Sequence, residues 1–317
     1  MKKRYLIIAF IILSLISLFL GVHSISIADI ISGNTEKINV FLISRVPRLI
    51  SIIVAGVGLS ISGVIMQQIS NNKFVSPTTA ATIDSAKLGV LVSMLLFSSA
   101  TLTQKMITAF IFSLLGTFVF MRIMKKIKFK NVIFVPLLGI MLGNVVGAIT
   151  DFFAYKFDLM QNMSSFMQGN FAVILKGNYE ILYLTIPLLI VAFLYSNKFT
   201  IIGMGEDIST NLGLNFERVA NIGMIIVSLI TALVVIIVGS IPFVGLIVPN
   251  IVSIFMGDNL GKNIWVTSLF GAIFLLTCDI IGRILIYPYE IPISLTVGVI
   301  GSVVFLYMIF RRTKNEG

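Results

Sequence analysis

The sequence predicts an all-α, polytopic membrane protein with about ten transmembrane helices, organised as one domain over residues 1–317. Three observations predict it. Only 11% of the residues are charged while 57% are hydrophobic, and the mean hydropathy is +1.06. A soluble domain carries roughly a quarter charged residues, so water is not the main solvent of this chain. Apolar runs approaching the ~20 residues that cross a bilayer recur along its whole length. The net charge of +10 sits at the ends of those runs, as in membrane proteins, and not on a soluble face that would suit nucleic acid.

The first run, Tyr5 to Gly21, follows Lys2, Lys3 and Arg4. It exceeds the apolar part of a signal peptide and no small-x-small cleavage site follows, so it reads as the first span. The second span is expected at Leu49–Met66, the third at Leu88–Leu102, the fourth at Met106–Ile123 and the fifth at Val132–Phe152. The sixth is expected at Ile181–Tyr195, the seventh at Val219–Val238, the eighth at Val244–Met256, the ninth at Ile264–Leu285 and the tenth at Ile293–Phe310. The third, sixth and eighth are short for a crossing and are expected to extend into less apolar flanks. With the N-terminus inside, sixteen Lys and Arg residues fall on the inner side. Seven fall outside: Lys37, Arg45, Arg48, Lys105, Lys156, Lys176 and Arg283. That is the asymmetry of cytoplasmic loops. An even number of spans also keeps Arg311 and Arg312 inside, so both termini are expected in the cytoplasm. The single cysteine, Cys278, excludes an internal disulfide and lies in an apolar run, and the single histidine, His23, is a poor basis for a metal site. No metal or cofactor site is expected.

The stretch Gly239 to Asn250 breaks the pattern. It carries two glycines and two prolines in twelve apolar residues. Helix breakers at membrane depth survive only where protein or a polar pathway satisfies the freed backbone groups. Two readings are open: a short outer loop between spans, or a re-aimed helix pair beside a route through the bilayer. The form G-x-I-x-F-V-G-L-I-V-P followed by a polar residue resembles the signature of permease subunits in the iron–siderophore, heme and cobalamin family of ABC importers, the FecCD-like family. That resemblance implies a type II ABC importer permease.

Further matches occur in order. Arg45, Val46, Pro47 and Arg48 lie just before the second span. They read as snorkelling anchors; in the family, R-x-P-R is a docking point for acidic residues of a solute-binding protein, a task that suits charge-assisted Arg–carboxylate pairs. The polar run Gln67 to Ala80 reads as an inner loop. It keeps Asn72 and Pro77, with Leu88 and Gly89, of the family's N-P-L-A-x-P-x-x-L-G, and Phe74 to Ala80 with Asp84 to Gly89 is similar to a sub-branch for catecholate siderophores such as petrobactin. Around residues 158–169, Met160, Met163, Phe166 and Met167 recur at helical spacing. Such a stripe packs, or it lines a surface that must adapt; the family's outer gate helix lies here, and Phe166, Met167 and Gly169 are the gate candidates.

The loop at about residues 199–218 holds a candidate short helix. Gly205 opens it, Glu206 and Asp207 favour its first turn through the dipole, and Gly213 ends it. It reads as a loop capped on the membrane surface, or, by the family's G-E-x-x-A-x-x-L-G, as the helix that couples to an ATPase. Gly205, Glu206, Leu212 and Gly213 match, with Ser209 in the alanine place. Asp279 and Arg283 stand at i, i+4 in the ninth span; charges at that depth pair. They form a structural ion pair, or Arg283 is a third docking charge as in the family. Three departures stand out: Ser294 replaces the glycine of E-x-P-x-G after Glu290, Asn250 stands where histidine is frequent, and Gly301 to Phe305 lacks the family's proline.

The resemblance implies partners: a second permease subunit, identical or different, two ATP-binding subunits, and an extracellular or periplasmic siderophore-binding protein. Membrane lipid surrounds the chain; nucleic acid is not a partner. No G-x-x-x-x-G-K-[ST] occurs, so the chain is expected to be a transport subunit whose ATP is hydrolysed elsewhere. Two rival classes fit less well. An ion-coupled secondary transporter needs an isolated carboxylate deep in a span, whereas Asp279 has Arg283 beside it. A membrane enzyme finds no HExxH, GxSxG or paired carboxylates in one span.

Overall fold

A computed structural model describes residues 3–21, 35–97, 99–126 and 134–316, with the backbone alone at 309–316. His23, Lys128 and Lys130 lie outside the described residues, as do the side chains of Arg311, Arg312 and Lys314. The described chain is helical, with two isolated bridges and no named strand. Helix α1 is Lys3–Phe19. Helix α2, Thr35–Val40, passes through a π-turn at Phe41–Arg45 into α3, Val46–Ser70. A 3-10 turn at Pro77–Thr79 leads to α4, Thr82–Leu96, followed by α5, Leu102–Lys126, α6, Phe134–Lys156, and the short α7, Met160–Met167. A second 3-10 turn, Glu180–Leu184, runs into α8, Thr185–Ile202. Then come α9, Glu206–Asn211, α10, Phe216–Val238, α11, Val244–Met256, α12, Leu260–Ile284, and α13, Ile293–Glu316.

Six helical stretches are long and apolar enough to cross a membrane: Thr35–Ser70, Leu102–Lys126, Phe134–Lys156, Glu180–Ile202, Phe216–Val238 and Leu260–Ile284. The other four expected spans are helical too. Three are short, at 17 residues for α1, 15 for α4 and 13 for α11; the fourth is the apolar part of α13, Ile293–Met308. At ~1.5 Å per residue α11 reaches only about 20 Å, less than the hydrocarbon core.

Two boundaries move substantially. The third segment begins at Thr82 and ends at Leu96, six residues earlier than its apolar run. Its polar start is buried and satisfied, with Thr82 Oγ1 2.8 Å from Thr117 Oγ1. Arg45 and Arg48 lie within a continuous helical stretch and not in front of it. Both are buried. Pro47 falls in the first turn of α3, where its missing N–H is no loss.

Burial separates centre from periphery. Of the most apolar window, 72% is buried in the Thr35–Ser70 stretch and in α10, against 22–28% in α5, α6 and the α8 stretch. Small residues account for the two central positions. On α3, a Cβ at Gly56 would stand 2.6 Å from Gly271 O of α12, and one at Gly63 would stand 1.8 Å from Gly245 O of α11. The backbones therefore meet with no side chain between them.

Candidate functional site

At one end of the bundle three buried ionic side chains, Arg48, Asp279 and Arg283, and the half-buried Glu290 converge from three parts of the chain. Arg48 of α3 donates through Nη2 to Asp279 Oδ1 at 2.8 Å and through Nη1 to Glu290 Oε2 at 2.6 Å. Arg283 donates through Nη2 to Asp279 Oδ2 and to Ser17 Oγ at 3.2 Å, and through Nη1 to the carbonyls of Ser17 at 2.8 Å and Leu20 at 3.1 Å. Asp279 is 4% exposed and Arg283 3% exposed. The group fastens α1, α3, α12 and the segment before α13 at a single point. Arg45 donates to the Leu20 carbonyl beside it. A cavity of about 220 Å³ opens over the group, lined by Gly21, Arg283, Tyr287 and Glu290 among others. Buried charges persist when paired, and here Asp279 lies between two arginines while Glu290 accepts from Arg48. Arg48 and Arg283 are thus committed to partners within the chain.

The broken stretch lies at the same end. Helix α10 stops at Val238, Gly239 turns with φ +93°, Phe243 adopts φ +65°, and α11 starts at Val244. The freed backbone groups are taken up by the segment after α7. Ser240 N donates to Met167 O at 3.0 Å, Asn170 N to Val238 O at 2.9 Å, and Ser294 N to Gly169 O at 3.2 Å. The break, the residues after α7 and the start of α13 thereby share one backbone node. A Cβ at Gly169 would stand 2.5 Å from Ser240 O, and one at Gly239 would stand 2.8 Å from Gln168 backbone. Within α7, Met163 is buried against α4 and α10, Phe166 and Met167 are partly buried on the same cluster, and Met160 is exposed. Lys105 Nζ at the start of α5 stands 5.3 Å over the Phe166 ring. The methionine stripe is thus divided between packing and exposure.

The other end carries the 199–218 loop. Gly205, with φ +111°, caps α9, and Gly213, with φ +80°, ends it. Leu214 N donates to Ser209 O at 3.0 Å and Gly213 N to Thr210 O at 2.9 Å. This is the Schellman pattern, in which a residue at positive φ follows the helix. Ser209 is fully buried against the chain itself, with its Oγ donating to Glu206 O at 2.9 Å. The small residue therefore permits approach to the bundle. Met204, Ile208 and Leu212, four residues apart, are all exposed, Leu212 at 61%, alongside exposed Glu206 and Asp207. A two-turn helix with an outward apolar ridge and an acidic start has little stability alone and presents a face for a partner. A cavity of about 300 Å³ lies behind it, between Asn71, Met124, Lys125, Glu206 and Phe216.

The run Gln67 to Ala80 departs from a surface loop. Val75 and Ser76 are fully buried, and Ser76 and Thr79 form a capping box around the 3-10 turn. Asn250 Nδ2 donates to Lys73 O and to Leu246 O, both at 2.7 Å. It thereby joins this run to α11. Lys73 Nζ reaches Asp258 at 2.8 Å. Burial raises the Asp258 carboxyl, but hydrogen bonds from Lys73 and Ser253 and the Lys73 charge outweigh it and hold the group below its ordinary range. Glu290 and the Ser17 and Leu20 carbonyls are the partners that sequence reasoning missed. The available signal was charge demand: Arg48, Asp279, Arg283 and Glu290 each stand near or within an apolar run and must find opposite charge.

A model of the FecCD transport family matches residues 8–311. The chain is 57% identical over 312 residues to the petrobactin import system permease protein YclN of Bacillus subtilis, covering 98% of this chain and 99% of that one. It is 38% identical to the ferric-anguibactin transport system permease protein FatD of Vibrio anguillarum, covering 98% of each. Among solved structures, a protein described as a metal-chelate type ABC transporter superposes with a TM-score of 0.82 at 22% identity, covering 97% of this chain and 98% of that one. The last likeness concerns the fold alone.

Proposed function

The chain belongs to the FecCD transport family, and we propose that it is the membrane permease subunit of an ABC importer that carries a ferric siderophore, of the catecholate petrobactin type, across a bacterial cell membrane. The observation that carries this reading is the 57% identity to a petrobactin import permease along 98% of the chain. It is a transport component that works with separate ATP-binding subunits, a siderophore-binding protein and a second permease subunit. We read residues 1–317 as one permease domain with ten membrane-spanning segments and both termini in the cytoplasm.

In this reading the two ends divide the work. The α9 ridge, with Gly205, Glu206, Ser209, Leu212 and Gly213, receives the ATPase subunit. Leu212 and Glu206 make the contact, Ser209 seats the helix, and the two glycines shape its ends. Movement there is passed along α8 and α10, which flank α9, and α10 ends at the backbone node shared with the residues after α7. Phe166, Met167 and Gly169 then act as the outer gate. Of the docking candidates, Arg45 sets the rim while Arg48 and Arg283 act chiefly as the internal clasp with Asp279 and Glu290. A binding protein meets the surface they hold in place.

An ion-coupled secondary transporter finds no support in these contacts. It needs an isolated carboxylate at depth, whereas Asp279 lies between two arginines, Asp151 pairs with Lys87 at 2.6 Å, and Asp84 stands in the first turn of α4, at the end of its span. The test is reconstitution with the second permease subunit, the cognate ATPase and the binding protein in liposomes. Iron-loaded petrobactin should accumulate only with ATP and only with the binding protein. Accumulation driven by an ion gradient without ATP would overturn the reading.

A further inference from the structure

A further cavity lies along the side of the bundle, apart from the ionic cluster and the broken stretch. It is a groove of about 790 Å³ walled by α1, α8 and α12 and floored by Ile53 and Val57 of α3. The volume is that of a small-molecule site, ~300–1,000 Å³. Its walls are apolar, with Ile7, Phe10 and Trp265 among them, and Lys3 stands within its lining. Trp265 is 70% exposed and stacks edge-on against Phe193 at 4.9 Å.

The polar end of this groove is set by topology. Arg283 near the end of α12 bonds Ser17 near the end of α1, so α1 and α12 run parallel and their N-terminal ends, Lys3 and Leu260, lie together. Helix α8 arrives antiparallel: a Cβ at Gly261 would fall 1.9 Å from Asn197 Oδ1, and Gly261 N donates to Thr200 Oγ1 at 3.3 Å. Lys198 and Lys262 each neighbour that contact in sequence, and both are exposed. Lys198 Nζ lies 4.3 Å over the Tyr195 ring. The nearby Asp258 is already paired with Lys73. With Lys198 turned to the Tyr195 ring, which does not line the groove, the charges left at this end are Lys3 in the lining and Lys262, one turn before Trp265 on α12. From Lys3 to Phe10 the groove runs about 10 Å, most of the ~15 Å hydrocarbon depth of one leaflet.

We propose that this groove is a binding site for an anionic phospholipid, with one acyl chain along α1, α8 and α12 and the phosphate between Lys3 and Lys262. Apolar walls of leaflet depth account for the chain. The basic rim accounts for the choice of headgroup, since each lysine near such a surface contributes about fivefold to anionic over neutral lipid.

Trp265 is the only tryptophan in the sequence, so fluorescence of the purified full chain in vesicles reports on this groove alone. The probes are brominated phosphatidylglycerol and brominated phosphatidylcholine, titrated into unlabelled phosphatidylcholine vesicles. Phosphatidylglycerol should quench at a mole fraction at least ~5-fold lower than phosphatidylcholine. In the double variant Lys3→Gln, Lys262→Gln that gap should close. Coincident quenching curves in the unmodified chain would mean ordinary surrounding lipid and would overturn the proposal. So would an unchanged gap in the double variant. Protection from both lipids would mean that another protein surface, such as a second copy of the chain, covers the groove, and would overturn it equally.

Discussion

Replacing Asp279 with leucine removes the carboxylate that both Arg48 and Arg283 use. In the intact protein the two arginines face two carboxylates, Asp279 and Glu290, within hydrogen-bond distance. Asp279→Leu leaves Arg48 with Glu290 alone and Arg283 with the Ser17 and Leu20 carbonyls and the Ser17 hydroxyl. One uncompensated positive charge then remains in a site where Arg283 is 3% exposed. Breaking a buried ion pair from one side costs about 3–5 kcal/mol, a large share of the stability of a typical domain. The double variant Asp279→Leu, Arg283→Met removes both charges and restores neutrality with Arg48–Glu290 intact. Because replacing a whole buried pair is often neutral, at least half of the loss should return. The assay is unfolding in detergent micelles followed by Trp265 fluorescence, with the single and double variants run side by side. A loss under about 1 kcal/mol in Asp279→Leu would refute the clasp and mean that water already screens the group; a double variant no more stable than the single would refute it by showing that the unpaired Arg283 charge is not the source of the loss.

Three further outcomes are expected. Glu206→Arg should leave expression unchanged and lower ATP-driven transport roughly tenfold, equivalent to about 1.4 kcal/mol of lost ATPase attachment; full transport would remove the coupling role of α9. Gly239→Ala meets Gln168 backbone at 2.8 Å and a φ of +93°, so it should cost about 1–3 kcal/mol and impair transport, read as a lower melting temperature together with slower siderophore uptake. Arg45→Glu, at a buried rim position bonded to the Leu20 carbonyl, should weaken binding-protein association, most at low salt because a Debye length of about 10 Å at 0.1 M screens charge acting across the interface; salt-independent, unchanged affinity by surface plasmon resonance would show that Arg45 serves only the chain.

Several features were legible in residue order because local physics sets them. Gly205 and Gly213 delimit α9 since each stands at positive φ, a conformation glycine adopts without strain. The Gly239–Asn250 break was legible from its glycines and prolines, and apolar runs located the helices. Other features needed the fold. Residues 82–87 look too polar for a span, yet α4 begins at Thr82 because Thr117 meets its hydroxyl. Ser209 reads as a contact for a partner, but it is buried against its own bundle.

By itself the sequence determined that this is a helical membrane protein, where its helices bend, and which charges must be neutralised, because hydropathy and backbone preference act over a few residues. Only the tertiary structure decided who neutralises whom. Arg48 meets Asp279 across 231 positions, and the groove facing Trp265 exists only where α1, α8 and α12 converge. Hydropathy cannot foresee either, since lipid and protein interior are equally apolar and what sorts helices between them is the fit of small residues such as Gly56 and Gly63 against distant backbone.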